Sequence, residues 1–154
     1  MLNYEKIILE SQTFADNHLQ INSFGNGDLW EIIESDKLQD FTYPMLWVQD
    51  SNFGTSNGVA FFSFSVLALD QVINGEVNEN FVKSSMIEIL FDYVSYFKQS
   101  IFYDVAGNKL PFKISVENSG QTFTENYNDI LTGGNISVRF DVPLRFNKCK
   151  IPTS

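Results

Sequence analysis

The side chains able to do chemistry are few and scattered. The chain has one His, His18, and one Cys, Cys149. His18 follows Asp16 closely, but no Ser or Cys is placed beside it in sequence. It reads most simply as a helix-end histidine capping carbonyls. A pairing with Cys149 stays open, because separation along the chain says nothing about distance in space. Cys149 lies between Lys148 and Lys150, two cations that favour a thiolate; a small, half-buried thiol in a tail is the simpler reading. Gly25-Asn26-Gly27-Asp28 precedes a possible helix and could cradle an anion at its N-terminus. It has no Lys and no Walker pattern, so a turn followed by an N-cap is expected. Gly133-Gly134 reads as a hairpin turn or bulge rather than a phosphate loop. Asp36, Asp40, Asp50 and Asp104 fit no calcium-loop spacing and read as solvated loop charges. The expectation is a chain that is not an enzyme and needs no cofactor or metal.

Composition points the same way. The 154 residues carry 10 Lys+Arg against 19 Asp+Glu, a formal charge of −9, and include 15 Phe among 15% aromatics. Such a chain has ample apolar material for a core. Its acidity disfavours binding of free nucleic acid, because counterion release needs a basic face, and disfavours an anionic membrane. A single Cys excludes an internal disulfide. The start, Met1-Leu2-Asn3-Tyr4-Glu5-Lys6, lacks a basic segment followed by an apolar run. The longest mostly apolar stretch, Val59 to Leu69, is about half the length of a membrane-spanning helix. Synthesis and residence in the cytoplasm are expected. The charge is uneven: residues 1–138 carry six Lys and 18 acids, a balance of −12, whereas residues 139–154 carry +3. The tail is basic on an acidic body. It is either an ordinary solvated end or a segment that docks on an acidic neighbouring subunit.

The elements that must position these groups are legible from periodicity. Tyr4, Ile7, Ile8, Ser11, Phe14 and Ala15 recur at helical steps and predict a helix ending near Asp16-Asn17. A short extended piece follows, with Leu19 and Ile21 on one side, running to Gly25-Asn26-Gly27. Asp28-Leu29-Trp30-Glu31 has capping-box form. Tyr43-Pro44-Met45-Leu46-Trp47-Val48 predicts a strand with Pro at its start. Asp50 to Gly58 reads as a polar loop with Phe53 at its tip, and Asn57-Gly58 as a hairpin turn. Val59 to Leu69 is a long strand whose Ala60, Phe62, Phe64, Val66 and Ala68 form an apolar face. After a turn at Asn74-Gly75, Val82, Met86, Ile89, Leu90, Tyr93, Val94 and Phe97 mark the clearest helix. Phe112, Ile114 and Val116 alternate as a strand; 121–127 is a weaker one; 129–135 reads as a turn. Ile136, Val138, Phe140, Val142, Leu144 and Phe146 then alternate strictly, with Pro143 pointing to a sheet edge or strand end. The fold class is α+β: an antiparallel sheet with one long central helix and an N-terminal helix packed on one face, over one domain of residues 1–154 with a basic tail at about 147–154.

The aromatic cluster Trp30, Phe41, Tyr43, Trp47 and Phe53 reads equally as core packing and as oligomer contact. Taken together, the layout resembles the small neck and tail-completion proteins of tailed bacteriophages, with a tail-terminator-like fold. The resemblance is carried by Phe24-x-x-Gly27-Asp28, Tyr43-Pro44-x-Leu46-Trp47-Val48 and the helix around Asp92-Tyr93. It continues in Asp129-Ile130-Leu131-Thr132-Gly133 and the ending Phe146-Asn147-x-Cys149-x-x-Pro152. These endings resemble structural proteins of phages infecting Bacteroidetes-type bacteria; Gly134 departs from the pattern, where an aromatic is expected. The resemblance implies a virion protein, assembled in the host cytoplasm. It implies a homo-oligomeric ring, sixfold or twelvefold, in the phage neck or head-proximal tail. Such a ring joins portal, adaptor or other neck and tail proteins and lets DNA pass without specific binding. Interface residues are then expected at Trp30, Tyr43, Trp47, Phe53, Arg145, Lys148 and Lys150. The alternative is a small-molecule or peptide-binding module using Trp30, Tyr43 and Trp47 as its pocket.

Overall fold

A computed structural model describes residues 1–28, 42–72, 78–117, 120–126 and 130–144. Helix α1, Tyr4–Asn17, starts where the Asn3 side chain accepts a hydrogen bond from the Lys6 amide at 2.9 Å. This satisfies one of the amides a helix start leaves unpaired. β1, Ser23–Asn26, leads to β2, Met45–Ser56, and β3, Val59–Gln71. Between β2 and β3, Asn57 and Gly58 both take positive φ, 51° and 78°, which matches the twist of a tight hairpin. The long helix α2, Glu79–Gln99, follows. The pair β4, Phe102–Tyr103, and β5, Lys109–Leu110, is a small separate hairpin that periodicity does not announce. β6, Lys113–Val116, β7, Gln121–Asn126, and β8, Ile130–Pro143, complete the order.

The main sheet runs β1-β2-β3-β8-β6, with β7 also on β8 beside β6. All described pairings are antiparallel except β1 with β2, which is parallel. The chain is thus mixed α+β with two long helices among its described residues, and the expected all-antiparallel sheet is corrected at that one edge. Both helices lie on one face. Ile7 and Phe14 of α1 share a core with Val82, Met86, Ile89, Leu90, Tyr93 and Phe97 of α2, and with Leu46, Val48, Phe64, Val138 and Phe140 of the sheet. The rings of Phe14, Tyr93, Phe97, Phe140 and Phe64 pass contact along this core with centroids 4.9–5.9 Å apart. Each such pair contributes about 0.5–1.5 kcal/mol beyond its buried area.

Three expectations need correction. Residues 130–135 are strand, not turn: Gly133 and Gly134 lie inside β8, paired with Leu69 and Ala68 of β3. A Cβ on Gly133 would meet the Ala68 carbonyl oxygen at 1.9 Å, so glycine there permits close backbone approach rather than a turn. The Asp50–Gly58 loop is the outer half of β2, broken by a bulge between Asp50 and Phe53. Leu19 and Ile21 do not share a face, since Leu19 is 100% exposed and Ile21 is buried. The capping box at 28–31 and the Asn74-Gly75 turn fall largely outside the described residues. No helix among the described residues is long and apolar enough to cross a membrane.

Candidate functional site

The single histidine is held structurally. The Gln20 amide donates to His18 Nδ1 at 3.2 Å, so Nε2 carries the proton given to Asp92 Oδ2 at 3.0 Å. Asp16 plays no part in these bonds. The Asp104 carboxylate accepts the Asn108 amide at 2.8 Å inside the β4–β5 turn. That bond holds its carboxyl below the usual carboxylate range. Asp50 accepts from the Tyr4 hydroxyl. Asp36, Asp40 and Cys149 lie outside the described residues. Among the described residues no group of three or more His, Cys, Asp or Glu is gathered to hold a metal. Gly25 and Asn26 are strand residues rather than an anion loop, and the Gly27 amide donates to the Val48 carbonyl. Gly25 gives up its side chain to Trp47, whose ring atoms lie 2.1 Å from where a Cβ would stand.

The aromatic cluster is divided by the fold. Trp47 is 5% exposed, packed with Met45, Leu67 and Leu69 on the face opposite the helices, with Tyr43 and Phe123 against them. Its indole N–H donates to the Gly27 carbonyl at 3.1 Å. Of the two readings of this cluster, Trp47 takes core packing. Phe53 lies outside the core, with 82% of its surface exposed. Trp30, Phe41, Arg145, Lys148 and Lys150 lie outside the described residues.

The bulge decides where Phe53 points. Asp50 pairs with Phe64 and Phe53 with Phe62, so Ser51 and Asn52 together oppose Ser63. Without the extra residue, Phe53 would fall opposite Phe61, on the other face of the sheet. The two-against-one count instead turns it to the helix side. There it borders a hollow of about 470 Å³ with Tyr4, Asp50, Phe62 and Phe64. Gly54 pairs with Phe61 on the other face, where its missing side chain admits the Phe61 ring. The Arg139 guanidinium covers that ring at 4.1 Å while its Nε donates to Asp141 at 2.7 Å. Ser63, also on this face, donates to Glu117.

A second apolar surface lies at the opposite edge of the sheet. α2 packs on β3, β8 and β6. Between it and β6–β8 runs a groove of about 480 Å³, lined among others by Phe91, Val94, Lys98, Val116, Thr122 and Ile136. Phe91 and Val116 are 63% and 44% exposed. Gly134 makes part of the groove floor because a side chain there would press on the Gln121 carbonyl and Leu90. Sequence reading missed this groove. Its only signal was Phe91, an aromatic on the polar side of the α2 stripe. No protein-family model and no curated protein matches the chain.

Proposed function

We propose that this chain is a non-catalytic structural protein of a tailed phage virion, forming a homo-oligomeric ring in the neck or head-proximal tail as a tail terminator or head–tail connector. The proposal includes the tail-terminator-like arrangement of its α+β fold, and neighbours drawn from portal, adaptor and tail proteins. The observation that carries it is the pair of unlike apolar surfaces, Phe53 at one sheet edge and the α2 groove at the other. Exposed apolar area of this kind marks protein contact. Two different surfaces suit the head-to-tail contact from which rings are made. The acidic body, −12 over residues 1–138, gives a lumen that does not grip DNA. The basic tail, with Arg145, Lys148 and Lys150, adds attraction to a neighbouring body.

For the alternative, a binding module built on Trp30, Tyr43 and Trp47, Trp47 is 5% exposed while Trp30 lies outside the described residues. The groove under α2 keeps a version of it alive, being apolar and concave. Native mass measurement and negative-stain micrographs of the purified chain separate the two. Rings of six or twelve copies support the virion reading. A monomer at micromolar concentration whose melting temperature rises with a small metabolite supports the module.

A further inference from the structure

We infer that a second copy of this chain seats its Phe53 hairpin in the groove between α2 and β6–β8, so that each ring contact is head-to-tail. The inference rests on the ring reading above and names the surfaces that make it.

The projecting partner is a single aromatic ring on a stiff support. Phe53 stands on β2, which is paired with β3 on both sides of the bulge, from Met45 to Ser56. The receiving partner is the apolar groove that Phe91 and Val116 leave exposed. Within one molecule the two cannot meet. β3 and β8 lie between β2 and the β6–β7 edge, and neighbouring strands are about 4.8 Å apart. A hairpin this well paired does not fold back over its own sheet, so the occupant is another molecule.

Charge gives the contact its direction. From Gln49 to Val59 the one charged side chain is Asp50, beside Phe53 in the same hollow. The Asp50 carboxylate is held there by the Tyr4 hydroxyl, which donates to it. The groove ends at Lys98, which also borders an adjoining hollow with Lys109 and Lys113 and no carboxylate in its lining. Three of the six lysines in residues 1–138 therefore gather at the receiving end. An aromatic flanked by a carboxylate meets an apolar groove flanked by lysines. Since the two surfaces differ and lie at opposite edges, a bound pair still presents one free hairpin and one free groove, each on a different copy. Such head-to-tail contacts add copy after copy and close into a ring when the rotation per copy divides a full turn.

The test uses three full-length variants, Phe53→Ser, Phe91→Asp and Val116→Asp, with native mass as the readout. All three positions are exposed, so each variant should melt within a few degrees of the parent. If the parent forms rings, each variant alone should be monomeric. A mixture of Phe53→Ser with either groove variant should stop at dimers, because only one intact hairpin–groove pair remains. Rings from Phe53→Ser alone, or from both groove variants alone, would overturn this contact and leave the ring reading standing. Mixtures that stay monomeric would overturn it as well. A parent chain that is monomeric at all concentrations would overturn the ring reading itself, and the contact with it.

Discussion

Replacing Tyr93 by Phe should destabilise the protein at neutral pH and cease to do so in alkali. Tyr93 is fully buried, and its hydroxyl lies 2.8 Å from Ser11 Oγ. Ser11 already donates to the Ile7 carbonyl at 2.8 Å, so Tyr93 is the donor between the two hydroxyls. Removing its oxygen deletes one neutral hydrogen bond and leaves Ser11 still bonded. The expected loss at pH 7 is about 0.5–1.5 kcal/mol. Burial pushes the Tyr93 hydroxyl well above its ordinary value. The folded protein therefore keeps this proton above pH 10, where the unfolded chain releases it. Its contribution is fully present below about pH 10 and falls as pH rises through and beyond that value. At pH 11 the parent has lost about 1.4 kcal/mol from this one group. The Phe variant has no such proton, and the remaining tyrosines are common to both chains. Urea unfolding at pH 7, 9, 10 and 11, followed by circular dichroism, should show the parent's advantage vanish or reverse by pH 11. A difference that stays constant with pH would refute the argument that Tyr93 is held un-ionised in the core.

Phe97→Ala should cost about 3–5 kcal/mol in the same urea assay, since Phe97 is 1% exposed and touches Tyr93, Tyr96 and Phe140 with centroids 4.9–5.2 Å away; a cost below about 0.5 kcal/mol would show that this helix face is not core. Gly133→Ala should lower the melting temperature more than Gly134→Ala, because its Cβ meets the Ala68 carbonyl oxygen at 1.9 Å while that of Gly134 meets Gln121 at 3.3 Å. Deleting residues 147–154 should leave the melting temperature of the subunit nearly unchanged while reducing ring formation by native mass. Raised salt should reproduce part of that reduction, as expected for exposed charge pairs worth about 0–1 kcal/mol each.

The long-period elements were determined by sequence alone. Helical steps located α1 and α2, and the buried residues of α2 are the predicted Val82, Met86, Ile89, Leu90, Tyr93 and Phe97. Strict alternation located β3 and the outer part of β8, and Asn57-Gly58 located their hairpin neighbour's turn. These succeed because one buried face imposes its own period on the residue order. Other features depended on a partner strand. Gly133-Gly134 looks like a turn in one dimension, and only the close approach of β3 makes it strand. The parallel pairing of β1 with β2 has no local signature. The aromatic residues were visible as a set, but tertiary structure gave Trp47 and Phe53 opposite surroundings. Opposite Leu67, Trp47 is enclosed, whereas the bulge after Asp50 turns Phe53 to the helix side, where it stays 82% exposed. Composition and periodicity set what the chain can bury; the register of β2 on β3, shifted by one residue, decides which face of the sheet Phe53 stands on.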